Sequence, residues 1–401
     1  MTCTQRHDPL RGTAMKFLSR LSLRRETEAA VHDLCVDLKA FEADLAIVFA
    51  SHHYGPEFDD LVRGIYERIN CRNLIGCTGE SIIGPTAEIE HQPAVSLWVA
   101  KLPDVRVLPF VIDQEDVMAM GEDLNAWRER LGAAPDDRPG IIMLPDPFSI
   151  DVPTCIERME ACYPGATIAG GIASGASQRG QNRLFLGDQT LRQGIVGVSL
   201  AGNIRISTVV SQGCRPVGKP YVITKVEDNF IQELGGRPAY SVLRDVYKEA
   251  SESDQQLMRQ GLHVGRLIDE QRRELAVGGF LVRNMMGVRE DQALAVADFM
   301  RPGQTVQFHV RDSQTADEEM ARLLEAESQN DGKPAGGALL FTCNGRGRNF
   351  FHESNHDIAL VNKIIAGCHT AGFFAAGEIG PVSGKTFIHG YTSSLLLFRE
   401  P

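Results

Sequence analysis

Short apolar runs of strand length alternate with stretches whose apolar positions recur at helical spacing. FLSRLSL (17–23) reads as a strand, and from Thr27 the positions Val31, Leu34, Cys35, Leu38 and Phe41 predict a helix. LAIVFAS (45–51) is a buried-strand run. After a loop of His52, His53, Tyr54, Gly55 and Pro56, the residues Phe58, Leu61, Val62, Ile65, Tyr66 and Ile69 mark one face of the next helix. NLIGCTGESIIGP (73–85) predicts a strand running into a glycine corner, and PAVSLWVAKL (93–102) the strand that returns.

The order then recurs. GIIMLPDPFS (140–149) predicts a strand, 150–165 a helix, ATIAGGIASG (166–175) a strand with a glycine corner and QGIVGVSLAG (193–202) a return strand. A third copy occupies the last seventy residues: GALLFTCNGRG (337–347), a helix with Ile358, Val361, Ile364 and Ile365 on one face, GFFAAGEIGP (372–381) and HGYTSSLLLF (389–398). LIGCTGES, IAGGIASG and FAAGEIGP share an apolar entry followed by glycine and small residues. The copies are not consecutive, which argues against a solenoid. The fold class expected is α/β: two lobes of layered mixed sheets, built from repeated strand-helix-strand-strand units with Gly-rich corners.

Between the first two copies, Val117, Met120, Leu124, Trp127 and Leu131 predict a single helix, followed by the linker GAAPDDRPG. Residues 203–336 interrupt before the third copy. They carry strand patterns at IRISTVV, YVITKV, 279–284, 293–299 and 305–312, a helix with Pro238 in its first turn and another near 254–262. Thr315 and Glu318 have capping-box spacing for the helix ADEEMARLLEAE. A boundary near 203–215 divides the chain into 15–212 and 213–401. The polar stretch 1–14 reads as a disordered extension or a misassigned start ahead of Met15, with an organelle transit peptide as the alternative.

Composition narrows the function classes. The chain has 401 residues, 43% hydrophobic and 23% charged, with a net charge of −11 that disfavours a nucleic-acid partner. No apolar run approaches the ~20 residues needed to span a bilayer. The nine cysteines are scattered without a C-x-x-C pair, so a disulfide framework or zinc ribbon is not expected and a cytoplasmic location is.

Candidate chemistry gathers at the third copy. Two glycines flank Arg346 after the strand, and a backbone that turns sharply there can approach a ligand closely. Arg346 and Glu378 lie on neighbouring corners, where they either clasp a ligand or form a structural ion pair. Asn344, His389 and Tyr391 are hydrogen-bonding neighbours, and Arg311, Asp312 and Asn284, which end strands at loops, complete the candidate set. Cys343 would be a nucleophile only with a base, His389 or His356, to lower its pKa. HESNH (352–356) satisfies the H-E-x-x-H zinc expression, but Ser354 or Asn355 reads as a helix N-cap that takes His352 off the face of His356. No metal and no cofactor is expected. The glycine corners could cradle phosphate, although none carries a nucleotide-binding pattern.

The runs DLAIVFASHHY and LIGCTGESIIG, followed by FHVRD, LLFTCNGRG, NHD, GFFAAGEIGPV and HGYTS, resemble the FIST family. The resemblance covers nearly the whole chain from Met15, with 15–212 similar to the FIST N part and 213–401 to the FIST C part. It implies a sensory, signal-transducing domain for a small polar ligand such as an amino acid, with no established catalytic reaction. A separate signalling protein would then receive the output. The alternatives are a Cys343-dependent acyl or amide hydrolase or transferase, and a protein-interaction scaffold without a small ligand.

Overall fold

A computed structural model describes residues 14–270, 279–329 and 333–401; most of the stretch 1–14 and part of the loop that restarts the third copy lie outside them. The chain is mixed α/β with layered sheets, and the repeat is fuller than four elements. Each unit runs strand, helix, strand, helix, strand, hairpin, return strand. In the first, these are Lys16–Ser22, Thr27–Cys35, Leu45–Ser51, Phe58–Arg68, Leu74–Gly79, the hairpin Ile82–Ile83 with Glu88–Ile89, and Val95–Lys101. In the second, Val105–Ile112 leads to the parallel strands Gly140–Pro145 and Ile168–Gly171, the hairpin Leu184–Leu186 with Gln189–Leu191, and Ile195–Gly202. The third opens with Arg205–Ser211 and resumes after an insertion, with helix Ser313–Ser328, strand Gly337–Cys343, helix His356–Ile364, strand His369–Ala375, hairpin Glu378–Val382 with Lys385–His389, and Ser393–Arg399.

The hairpins are exchanged in a cycle. The first unit's hairpin extends the third unit's sheet, where Ile82 and Ile83 pair with Phe373 and Gly372. The second unit's hairpin extends the first sheet through Leu184–Leu186 against Ile75–Cys77. The third unit's hairpin extends the second, with Glu378 opposite Gly171. Three six-stranded sheets result, each made by two units. The chain passes 203–215 as the leading strand of the third unit and enters a seven-stranded sheet at Cys214, which ends with Thr305–Arg311.

Alternation along the strands explains the layers. Leu45, Ile47 and Phe49 face a central core shared by all three sheets, with Trp98, Phe341, Phe373 and Phe398. Ala46, Val48 and Ala50 face outward against the helix residues Val31, Leu34, Leu61 and Ile65. Strands buried on both faces read as continuous apolar runs for this reason, and each fully buried large side chain adds about 1.5–3 kcal/mol.

Local chemistry departs from the pattern in three places. The helix expected across Val117–Leu131 is two, Gln114–Met120 and Leu124–Leu131, because Gly121 turns out of helical geometry at φ 49° and the Asp123 carboxylate caps a new start. The helix from Thr27 stops at Cys35, and left-handed Asp37 leads into a 3₁₀ turn at Leu38–Ala40. The cap expected from Thr315 and Glu318 is provided instead by Asp312, whose carboxylate accepts from the backbone N–H groups of Gln314 and Thr315.

The corners meet in a ring. Gly76, Gly170 and Gly372 are equivalent: an added Cβ would lie 2.0, 1.9 and 1.8 Å from the carbonyl oxygens of Val48, Met143 and Leu340 on the neighbouring parallel strands. Four residues further on, Ser174 N–H donates to Thr78 at 3.1 Å and Ala376 N–H to Ile172 at 3.0 Å. The third link is relayed: Glu80 N–H donates to the Ser174 hydroxyl at 2.8 Å, and that hydroxyl donates to the Phe374 carbonyl.

A methyl at this contact must displace backbone, so Gly372→Ala should lower stability by roughly 1–3 kcal/mol or more in urea denaturation. Gly390→Ala, where nothing lies within 4 Å of the added carbon, should stay within about 0.5 kcal/mol of the parent.

Candidate functional site

Strand Gly337–Cys343 delivers its last residues into a tight turn, closed by Arg346 N–H donating to the Cys343 carbonyl at 2.8 Å. Gly347, at φ 77°, redirects the chain into the short helix Arg348–Phe351. This turn holds most of the candidate residues.

Arg346 is completely enclosed. Its Nε and Nη2 each donate to Asp357 at 2.8 Å, a two-pronged fork. The Thr342 hydroxyl donates to the same carboxylate, His356 Nδ1 lies 2.8 Å from it, and the Phe351 ring sits 4.9 Å from the guanidinium carbon. Burial opposes ionisation of Asp357, but Arg346 and His356 outweigh it and hold the carboxyl below its usual range. The expected clasp of Arg346 with Glu378 is therefore replaced by a fork with Asp357. Glu378 is near enough for the two charges to act on each other, yet no hydrogen bond joins them.

Glu378 is also fully buried. Its Oε2 accepts from Thr392 N–H at 3.1 Å and its Oε1 has no hydrogen-bond partner among the described residues. Burial pushes this carboxyl well above its usual range, against the opposing pull of the Thr392 N–H and the Arg346 charge. Cys343 lies beside it, and burial, with Glu378 adding to it, pushes the thiol up to about 12. His389 faces Glu378 across the hairpin, but its Nε2 is 3.0 Å from the Gly380 carbonyl and burial pushes it down to about 4. His356 is held between Asp357 and Asp317. Neither histidine hydrogen-bonds to Cys343, so no activated thiolate is assembled here.

Arg311 is placed differently. It ends strand Thr305–Arg311 and reaches across to the turn, where Nη2 donates to the Gly345 carbonyl at 2.5 Å. Its guanidinium carbon lies 4.3 Å from the Phe350 ring centre and 4.2 Å from that of Tyr391. Its Nε has no acceptor, and among the described residues no carboxylate pairs with it. Burial therefore lowers its pKa without an opposing ion pair. Tyr391 holds its place in a left-handed conformation, φ 62°, with its ring 4.8 Å from that of buried His263. Asn284 lies opposite His263 on the adjacent strand. Asp312 is occupied by its helix and by Arg215 at 2.6 Å.

Arg311 opens onto a cleft of about 570 Å³, walled by Gly345, Asn349 and Phe350 from the turn and by Gln260 and Ser313 from the insertion side. A cavity of this size suits a small molecule. The structure thus brings Asn344, Arg346, Glu378, His389, Tyr391 and Arg311 around one corner, of which Arg311 reaches the cleft. Phe350, Asn349, Gln260 and His263 were missed because nothing local to them carries a motif. HESNH does not form a zinc-binding helix: left-handed His352 ends one helix and buried His356 begins the next. The eight described cysteines are unpaired, and no helix among the described residues is long and apolar enough to cross a membrane.

Glu88 enters the same buried cluster from the exchanged hairpin. Its carboxylate accepts from Ile358 N–H at 2.8 Å, and its backbone N–H donates to Asn355 Oδ1 at 2.8 Å. Burial, then the charge of Asp357, pushes the Glu88 carboxyl up to about 8.

The fold defines a layered α/β protein of three hairpin-exchanging units, with a ligand-sized cleft where an insertion meets the third. Residues 44–237 match the FIST N domain and residues 239–381 the FIST C domain, so the chain belongs to the FIST family. FIST domains are generally taken to be sensory domains. Its relatives include the uncharacterised protein Rv0628c of Mycobacterium tuberculosis H37Rv, 37% identical over 94% of this chain and 96% of that one. The uncharacterised protein Mb0898c of Mycobacterium bovis is 35% identical over 89% of this chain and 90% of that one. Among solved structures, phosphoribosylformylglycinamidine synthase II of Thermotoga maritima aligns over 96% of this chain and 72% of that chain. Its TM-score of 0.20 and 8% identity are too low to inform fold or function.

Two outcomes follow from the buried charges. Arg346→Ala should cost about 3–5 kcal/mol in chemical denaturation, because it leaves Asp357 ionised and unpaired in the core. Between the ordinary glutamate pKa of about 4.3 and about 8, native Glu88 holds a proton that the unfolded chain has released, so its contribution to stability falls as pH rises through that window. Glu88→Gln should accordingly flatten the pH profile of the unfolding midpoint, and should exceed the parent in stability above pH 8.

Proposed function

We propose that this protein is a cytoplasmic small-ligand sensor that takes a carboxylate-bearing metabolite, an amino acid being the simplest, into the cleft beside the third corner. A separate signalling protein would read the occupied state. The reading rests on one observation: Arg311 presents a partly buried guanidinium, packed against two aromatic rings and lacking a carboxylate partner among the described residues, to a cleft of about 570 Å³.

A buried cation without a counter-ion is costly, and an incoming carboxylate would offset that cost through charge-assisted hydrogen bonds of about 1.5–3 kcal/mol each. Two rings whose centres lie within 4.3 Å of the guanidinium carbon limit the directions from which a partner can approach it. The amide oxygens of Gln260 and Asn349 and the Ser313 hydroxyl are neutral acceptors suited to an ammonium. In this arrangement Arg346, Asp357 and buried Glu378 form the frame that fixes the turn, and Tyr391, with His263 against its ring, braces Arg311. Micromolar affinity, about −8.2 kcal/mol, lies within reach of two such contacts and partial burial.

A thermal-shift screen of amino acids and small carboxylates tests this. A true ligand at a hundredfold excess over its Kd should stabilise by about 2.7 kcal/mol, raising the midpoint by a few degrees. Arg311→Ala should remove that shift while the protein remains folded. Flat profiles across the panel would reject the carboxylate reading, and capture of a stable protein partner by unliganded protein would favour the scaffold in its place.

A further inference from the structure

A second groove runs along the other side of the same turn. His52, Pro147 and Asn344 are equivalent positions, each four residues beyond the strand residue that faces a corner glycine: Val48, Met143 and Leu340. They line a cleft of about 420 Å³ together with Phe148 and Glu80. A neighbouring cleft of about 490 Å³, lined by Asn182, Arg183 and Arg192, shares His52, Ser174, Gly175 and Gln181 with it. The two make one continuous groove at the carboxyl ends of the parallel strands, where open α/β sheets place their ligands.

One end of this groove is cationic. Arg183 is pinned through Nη1, which donates to the carbonyls of Gly180 at 2.8 Å, Gln181 at 3.1 Å and Asn182 at 2.9 Å. Its Nε and Nη2 have no partner among the described residues. Arg192 forms no hydrogen bond or ion pair there either, and its charge acts on Arg183 across the cleft. His52 stacks on His53 with ring centres 4.1 Å apart. Asp59 is the acidic side chain that acts on Arg183, and it already accepts from the Thr190 hydroxyl. Two guanidinium groups and an imidazole thus converge in a protein whose net charge is −11. At the other end, Phe148 is 40% exposed beside Pro147, and the amides of Asn344 and Gln181 lie between.

We propose that this groove binds a phosphate monoester, with the phosphate on Arg183, Arg192 and His52 and the organic group toward Pro147 and Phe148. A dianion relieves the repulsion between the guanidinium groups. The pinned Arg183 head offers its free Nε–Nη2 edge in the fork geometry that phosphate oxygens match. The loop from Ser174 to Gly180 bends through two left-handed glycines, Gly175 at φ 88° and Gly180 at φ 78°, so that no side chain of its own fills the groove at those points.

Isothermal titration with inorganic phosphate, phenyl phosphate and phenol provides the test. Phenyl phosphate should bind at least about tenfold more tightly than inorganic phosphate, and phenol should not bind, because charge anchors the ligand and the aromatic end adds to it. Arg192→Ala should weaken phenyl phosphate by about tenfold or more, and Arg183→Ala, Arg192→Ala together should abolish it. If loss of Arg183 unfolds its loop, Arg192→Glu gives the same reading without touching the carbonyl contacts. Arg311→Ala should leave the affinity unchanged, which separates this groove from the carboxylate cleft. No heat with phenyl phosphate at millimolar concentration, binding unaffected by Arg192→Glu, or binding lost in Arg311→Ala would overturn the assignment.

Discussion

The ring of hydrogen bonds where the three corners meet is the constraint on which the other features depend. Each corner donates to the next, and each of the three sheets is finished by a hairpin from another unit. The corner glycines allow it, because their backbone closes on a neighbouring carbonyl at a distance no side chain tolerates. Once the corners are fixed, the residues just beyond the strand ends must converge on a common surface. The groove where His52, Pro147 and Asn344 meet is a consequence of that convergence, and the Arg311 cleft forms where the adjoining turn at Gly345 meets the insertion.

Beneath that turn lies a set of buried ionisable groups whose states are set by their surroundings. Arg346, locked onto Asp357, holds that carboxyl below its usual range, whereas burial pushes Glu378, which lacks such a fork, well above it. Glu88 arrives from a different unit and lies between these extremes. Such groups contribute little net stability when paired, yet removing one partner costs about 3–5 kcal/mol because the other charge is left buried and unpaired. Here they make the position of one turn depend on contacts from both ends of the chain. Arg311 stands apart from this network, packed against the Phe350 and Tyr391 rings with its Nε lacking an acceptor among the described residues.

Much of the fold was legible because doubly buried strands produce unmistakable apolar runs. LAIVFAS, GIIMLP and GALLF became the inner strands, and the glycine corners after LIGCTG, IAGG and AGFFA became the meeting points. The hairpin exchange was not legible. Ile82 pairs with Phe373 across nearly three hundred residues, and no local pattern distinguishes a hairpin that stays from one that crosses over. The same blindness governed the site. The carboxylate that matches Arg346 is Asp357, eleven residues away on the helix His356–Ile364, whereas Glu378, the acid that the corner pattern suggested, turns inward to Thr392. Helix limits failed where a single residue had a stronger local preference, as at Gly121 with Asp123, or at Asp312, which precedes the expected cap.

The cyclic exchange also bears on how the chain reaches this state. The second sheet is complete only when 378–389 has arrived, and Ser393–Arg399 forms the seam between two strands of the third. Contacts of such sequence separation impose a high loop-closure entropy before any reward, which slows folding. During synthesis, the first two units therefore emerge with unpaired sheet edges and wait for the last stretch of chain to be released. Until then their exposed edges invite pairing with other chains, so chaperones and the pace of translation bear on how much of this protein a cell accumulates.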